Sequence, residues 1–195
     1  MKAPKQPHFK MHLLRATSIA RRYMVTNGFD GALTILGMVT GFFISGMTDL
    51  EVALSACMGA TIALFISGIS SAYLSEKAER EKELHGLEQA LVTDLKQSDY
   101  GQASRYLPVL VALVNGFSPF VLSLLILMPL FFADSLYAWS MNPFLSSIAV
   151  ALMCIFVLGV FLGKISQTFW LWSGLKTLVI AVITVAIILF FGRTF

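Results

Sequence analysis

Asp30 is an acid set inside an otherwise apolar stretch, Phe29-Asp30-Gly31-Ala32-Leu33-Thr34-Ile35, which stays apolar through Ile44. A carboxylate on a membrane helix costs on the order of 3 kcal/mol at mid-bilayer, and such a cost usually marks an ion or proton path. The alternative is an acid at the start of the helix near the headgroups, capping it or pairing with Arg21 or Arg22. A second group of acids follows the second apolar stretch. Glu76, Glu79 and Glu83 fall on one helical face, and Glu81, His85 and Glu88 on another. Stacked carboxylates suit hard divalent cations such as Mn²⁺, and an imidazole adds affinity for Fe²⁺ or Zn²⁺. The competing reading is a solvated, salt-bridged helix, because Glu76–Arg80 and Lys77–Glu81 are ion pairs at i, i+4. Asn115 is a third candidate. Pro119 has no N–H to offer the Asn115 carbonyl, and a bare carbonyl beside an amide oxygen is a cation ligand.

These residues need a membrane around them. Hydrophobic residues make up 57% of the 195 and charged residues only 13%, well under the share of about 25% usual in soluble domains. Five stretches are long enough to cross a hydrocarbon core, which takes roughly 20 helical residues: 24–47, 52–74, 106–132, 144–163 and 169–192. The expected fold is an all-α integral membrane protein with five transmembrane helices, an N-terminal amphipathic helix and a cytoplasmic extension of the second span. Thr48-Asp49-Leu50-Glu51 joins the first two spans as a tight acidic turn. The third span begins beside Pro108 and ends at Pro129, with Pro119 inside it predicting a kink. Gly37-Met38-Val39-Thr40-Gly41 and Gly59-Ala60-Thr61-Ile62-Ala63 carry small residues four apart, which permit close helix approach.

Loop charge orients the bundle. Six of the fourteen Lys and Arg precede the first span, five lie between the second and third, and Lys164 lies between the fourth and fifth. The other side has only Arg193. The positive-inside rule puts the N-terminus in the cytoplasm and the C-terminus outside. The organisation expected is residues 1–23 as a cytoplasmic N-terminus, then 24–195 as a membrane domain that includes the charged 75–105 loop. Within the N-terminus, residues 8–23 read as an amphipathic helix lying in the headgroup plane, with Phe9, Leu13, Ala16, Ala20 and Tyr23 on its apolar stripe. Cys57 and Cys154 lie within spans as buried small hydrophobes. No removed signal peptide is expected.

With these residues in place, the chain resembles the vacuolar iron transporter family in its short prokaryotic form. The resemblance rests on Asp30-Gly31-Ala32-Leu33-Thr34, similar to the family's Asp-Gly-x-x-Thr in its first span. Tyr73-Leu74-Ser75-Glu76-Lys77-Ala78-Glu79-Arg80-Glu81 is similar to the family's stretch leaving the second span. Gly116-Phe117-Ser118-Pro119 and the five-span plan extend the likeness over nearly the whole chain. The resemblance implies a homodimer that moves Fe²⁺ or Mn²⁺ out of the cytosol against protons, with a path beside the first span and Asp30 as its membrane acid. It also implies metal capture by Glu76, Glu79 and Glu83, with Glu81 and Glu88 as further ligands. An ungapped alignment on Tyr73-Leu74-Ser75 puts Gly68 where better-known members have a methionine, and Ala72 where they have a glutamate.

The reading that follows is a secondary transporter of divalent transition-metal cations. Its partners would be the metal ion as substrate, protons, the bilayer and a second copy of itself, with no permanently bound cofactor and no nucleic acid. The alternative is a non-transporting membrane protein whose 76–88 helix senses metal or docks a partner. No phosphate loop, nucleophile elbow or His/Asp/Glu constellation is present, so an enzyme is not expected.

Overall fold

The computed structural model describes residues 7–95 and 98–192, apart from the side chains of residues 7–18 and 99. The described chain is all α, with no strand: α1 (Pro7–Ile44), α2 (Leu50–Leu91), α3 (Asp99–Phe131), α4 (Ala133–Ala138), α5 (Pro143–Ile165) and α6 (Trp170–Gly192). Five of these are long and apolar enough to cross a membrane, α1 through its Ile19–Ile44 part. The protein is a multi-spanning helical membrane protein. Its helices start where the sequence supplies caps. Asp49 accepts from the Glu51 and Val52 amides at 3.0 and 3.2 Å. Asn142 does the same for Phe144 at 2.9 Å, with Pro143 following it at the head of α5. The turn from α1 to α2 passes through Gly46 at φ +67°, a left-handed conformation that glycine adopts without a Cβ clash.

The core is built on α1. Ala32, Ile35, Leu36 and Val39 are fully buried against Ile126, Leu127 and Leu130 of α3, Ala151 and Ile155 of α5, Ala181 of α6, and Ala53 and Cys57 of α2. At the other end of the bundle α2 runs on past its apolar part. Its 42 residues make a rod about 63 Å long, roughly twice the hydrocarbon thickness. The sequence reading of α2 as one helix leaving the membrane holds.

The third span differs from expectation. Pro108 does not mark its start, because α3 runs unbroken from Asp99 through Pro108 and Pro119, while Pro129 stands in its last turn, two residues before Phe131. The reason is α2. Its projecting half gives the first turns of α3 a partner, and the Tyr100 hydroxyl donates to Glu83 Oε2 at 3.1 Å. The Leu95 amide donates to Glu88 Oε1 at 3.1 Å, which closes the connecting loop. The segment 133–143, read from sequence as a loop, contains the short α4. α1 is a single helix from Pro7, with no break between the 8–23 segment and the first span. The side chains of Phe9, Leu13 and Ala16 lie outside the described residues, as do Lys2, Lys5, Lys96 and Arg193.

Candidate functional site

Asp30 lies within the first span: it is eight residues past Arg22, the last cation before the apolar run, and 14 before Ile44, or about 12 and 21 Å along the helix. It is therefore not a helix cap, and the capping alternative falls away: α1 begins at Pro7. Its side chain is exposed in the single chain. No Lys, Arg or His nitrogen comes within 4.0 Å of its carboxylate among the described residues, so neither Arg21 nor Arg22 pairs with it. The Asp30 carbonyl accepts from Thr34 Oγ1 at 2.6 Å.

Two openings meet at Asp30, one on each side of α1. The larger, about 540 Å³, lies between α1 and the end of α5 and is lined by Arg21, Arg22, Thr26, Phe29, Asp30 and Leu162. The smaller, about 140 Å³, lies between α1, α2 and α3, where Asp30 is joined by Asn27, Ser67, Gly68, Ser71 and Pro119. The polar groups of this second cavity are all oxygen-bearing, as a hard cation requires.

A hydrogen-bonded clamp behind the cavity fixes α1, α2 and α3. Asn115 is 2% exposed, and its Nδ2 donates to the Gly68 carbonyl at 2.7 Å. Since that carbonyl only accepts, the Asn115 oxygen must face the other way, where it accepts from Asn27 Nδ2. Asn27 Oδ1 is left as an acceptor on a residue that lines the small cavity. The Ser118 hydroxyl donates to the Met24 carbonyl at 2.5 Å, adding a second tie between α1 and α3. Glycine makes the approach possible. A Cβ on Gly31 would stand 2.6 Å from Pro119 Cβ, and one on Gly68 would stand 3.3 Å from the Asn115 carbonyl oxygen. The carbonyl freed by Pro119 thus faces the backbone of α2, and both amide atoms of Asn115 are taken by protein partners.

The acids of α2 are held differently from what a shared metal site needs. Arg80 takes Glu83 at 2.7 Å and Glu76 at 3.5 Å. Glu81 stands 3.9 Å from Lys77, and Glu88 stands 3.3 Å from His85. Glu79 is exposed, with no ion pair among the described residues. The structure brings Glu76 and Glu83 together on one arginine and leaves Glu79, Glu81 and Glu88 apart. Among the described residues no three His, Cys, Asp or Glu side chains converge as a metal cage. The glycines of the two small-residue motifs also behave unexpectedly. A Cβ on Gly37 would meet Ile188 of α6 at 3.6 Å, whereas one on Gly41 or Gly59 would meet nothing within 4 Å, so those two glycines face no other helix of the same chain.

In the sequence, Asn27, Ser67 and Ser71 are polar residues of the spans, of a kind common at helix contacts. What singles them out is phase: Asn27 is one turn before Asp30, and Ser67 and Ser71 flank Gly68. Tyr100 was missed, and Ser118 entered only within Gly116-Phe117-Ser118-Pro119, because neither lies in a pattern that points across to another helix.

Over 175 residues, 87% of this chain and 86% of its counterpart, the sequence is 34% identical to "Uncharacterized protein MJ0645" of Methanocaldococcus jannaschii. The chain belongs to that protein's family. No known family profile matches it, and no solved structure does. Because the archaeal relative is itself uncharacterised, the kinship carries no activity across.

Proposed function

We propose that the protein is a secondary transporter of divalent transition-metal cations, Fe²⁺ or Mn²⁺, out of the cytosol, with protons as the counter-ion and Asp30 as the acid on the path. The observation that carries this reading is the Asp30 carboxylate. It stands within the span with no cation within 4.0 Å among the described residues and opens onto two cavities. An anchor has no use for a group that costs this much. A divalent ion at Asp30 would find one carboxylate, the Asn27 amide oxygen and the Ser67 and Ser71 hydroxyls. Protonation of Asp30 would remove the charge and release the ion.

One chain offers a single carboxylate to a doubly charged ion. The exposed line of Thr26, Asp30 and Thr34 continues into Gly41, and α2 presents Gly59 with nothing against it. A homodimer with α1 near its twofold axis would cover these faces and bring a second Asp30 to the path. This arrangement is also what the resemblance to the vacuolar iron transporters implies. In it the N-terminus is cytoplasmic, and Glu79 is an exposed acid of α2 that no ion pair occupies among the described residues.

The alternative, a non-transporting protein with a docking helix, is favoured by the ion pairs that occupy Glu76, Glu81, Glu83 and Glu88. Flux into proteoliposomes separates the two. Fe²⁺, Mn²⁺, Co²⁺ and Zn²⁺ are offered in turn, with and without a pH gradient. Transport of at least one ion, accelerated by the gradient, is expected; absence of flux for every ion selects the docking protein.

A further inference from the structure

A further opening lies away from Asp30, between α2 and α3 at the end where both project. It encloses about 580 Å³, within the size range of small-ligand pockets. Its wall is basic: Lys77, Arg80 and Lys82 come from α2 and Arg105 from α3, with Glu81 as the only acid. Arg80 is already neutralised by Glu76 and Glu83. Lys77, Lys82 and Arg105 remain against Glu81, so the pocket carries an excess of positive charge. The Lys77–Glu81 contact at 3.9 Å, with side chains 50% and 66% exposed, is too long and too hydrated to cancel much of it. Lys82 and Arg105 have no ion pair among the described residues. Arg80 also keeps a buried Nε–H without a hydrogen-bond partner, an omission that folded proteins rarely tolerate.

The level of the pocket identifies the anion. Its inner edge is Tyr73 and Pro108, where the apolar runs of α2 and α3 begin. Lys77 follows Leu74 by three residues, or about 5 Å along the helix, which is headgroup depth. Beside it Tyr106 is 74% exposed and Leu74 66% exposed, an aromatic and an aliphatic side chain of the kind that sit at the boundary of a bilayer. Basic pockets between membrane helices at this depth hold anionic headgroups. We propose that the α2–α3 pocket binds the phosphodiester headgroup of an anionic phospholipid, with Lys77 and Arg105 as its principal contacts and the acyl chains leaving along Leu74 and Val109. This site is independent of transport at Asp30.

Native mass spectrometry of the purified full chain tests it. Phosphatidylglycerol and phosphatidylcholine are added together in equal amounts, and the ratio of bound adducts is read. Phosphatidylglycerol should dominate on the wild-type chain. Each of Lys77→Gln and Arg105→Gln should lower its preference about fivefold, and the pair about twenty-five- to thirtyfold. Lys164→Gln, which removes a cation outside the pocket, should leave the ratio unchanged. Inorganic phosphate at millimolar concentration should not displace the lipid. Equal adducts of the two lipids on the wild-type chain would overturn the proposal, and that arm needs no variant to fold. So would a folded single variant with an unchanged ratio, or displacement by free phosphate, which would make the anion a soluble one.

Discussion

Replacing Gly31 by alanine probes the helix crossing that places Asp30. A Cβ at this position would stand 2.6 Å from Pro119 Cβ, 2.8 Å from Pro119 Cα and 3.1 Å from its carbonyl oxygen. Non-bonded carbons settle at about 3.5–4.0 Å, so α1 must retreat from α3 by about 1 Å. Proline has no rotamer that moves its Cα or Cβ aside, so the backbone has to yield. Overpacking of this kind costs about 1–3 kcal/mol, while alanine regains about 1 kcal/mol over glycine within a helix. The net expectation is a loss of up to about 2 kcal/mol, or a melting temperature lower by up to roughly 8 °C at this chain length. Gly86→Ala is the matched control. It is also inside a helix, but a Cβ there meets nothing within 4 Å, so it should raise stability by about 0.5–1 kcal/mol. Thermal unfolding of both variants in one detergent, followed by tryptophan fluorescence, gives the comparison. If Gly31→Ala melts at or above Gly86→Ala, α1 and α3 do not cross as described, and the placement of Asp30 beside Pro119 fails with them.

Other expectations concern separate parts of the molecule. Gly41→Leu and Gly59→Leu add bulk where one chain has open space; monomer stability should be unchanged while the proposed dimer dissociates, read as mass in nanodiscs, and an intact dimer would exclude these faces from the interface. Arg80, with its side chain 15% exposed beside Glu76 at 10%, should cost about 2 kcal/mol on replacement by Gln, since hydrogen bonds to charged groups contribute about 1.5–3 kcal/mol. Lys77→Gln should cost less than about 0.5 kcal/mol in denaturant-free melting, and equal losses would contradict the difference in burial. Glu79→Gln should weaken Mn²⁺ binding by calorimetry without changing the melting temperature; unchanged binding would remove Glu79 from metal capture.

Much of the fold was legible because membrane crossing leaves a coarse signal. Runs of about 20 apolar residues mark spans whatever they pack against, and capping residues such as Asp49 and Asn142 stand where helices begin. Pro108 misled for a physical reason. Proline reads as a boundary only when no neighbouring helix supports the turn before it, and here the projecting half of α2 does. Asp30 stood out because its cost in a span is large and independent of tertiary structure. Its surroundings were harder to read, since the Asn27–Asn115–Gly68 clamp joins residues 88 and 47 positions apart. Nothing local distinguishes those residues from ordinary packing serines and asparagines. The glutamates of α2 were equally ambiguous: i, i+4 spacing serves a metal and an arginine alike, and Arg80 took Glu76 and Glu83.

The central claim is that Asp30 carries the ion. Asn keeps the shape of Asp but loses its charge and its exchangeable proton, so the measurement is metal flux into proteoliposomes by Asp30→Asn beside the wild-type chain, under a pH gradient. Wild-type protein should transport and Asp30→Asn should not, although it should elute with the same mass and melt at a similar temperature. Asp30→Glu, which restores the charge about one methylene away, should recover part of the flux. Flux at the wild-type rate in a correctly assembled Asp30→Asn protein would contradict the account.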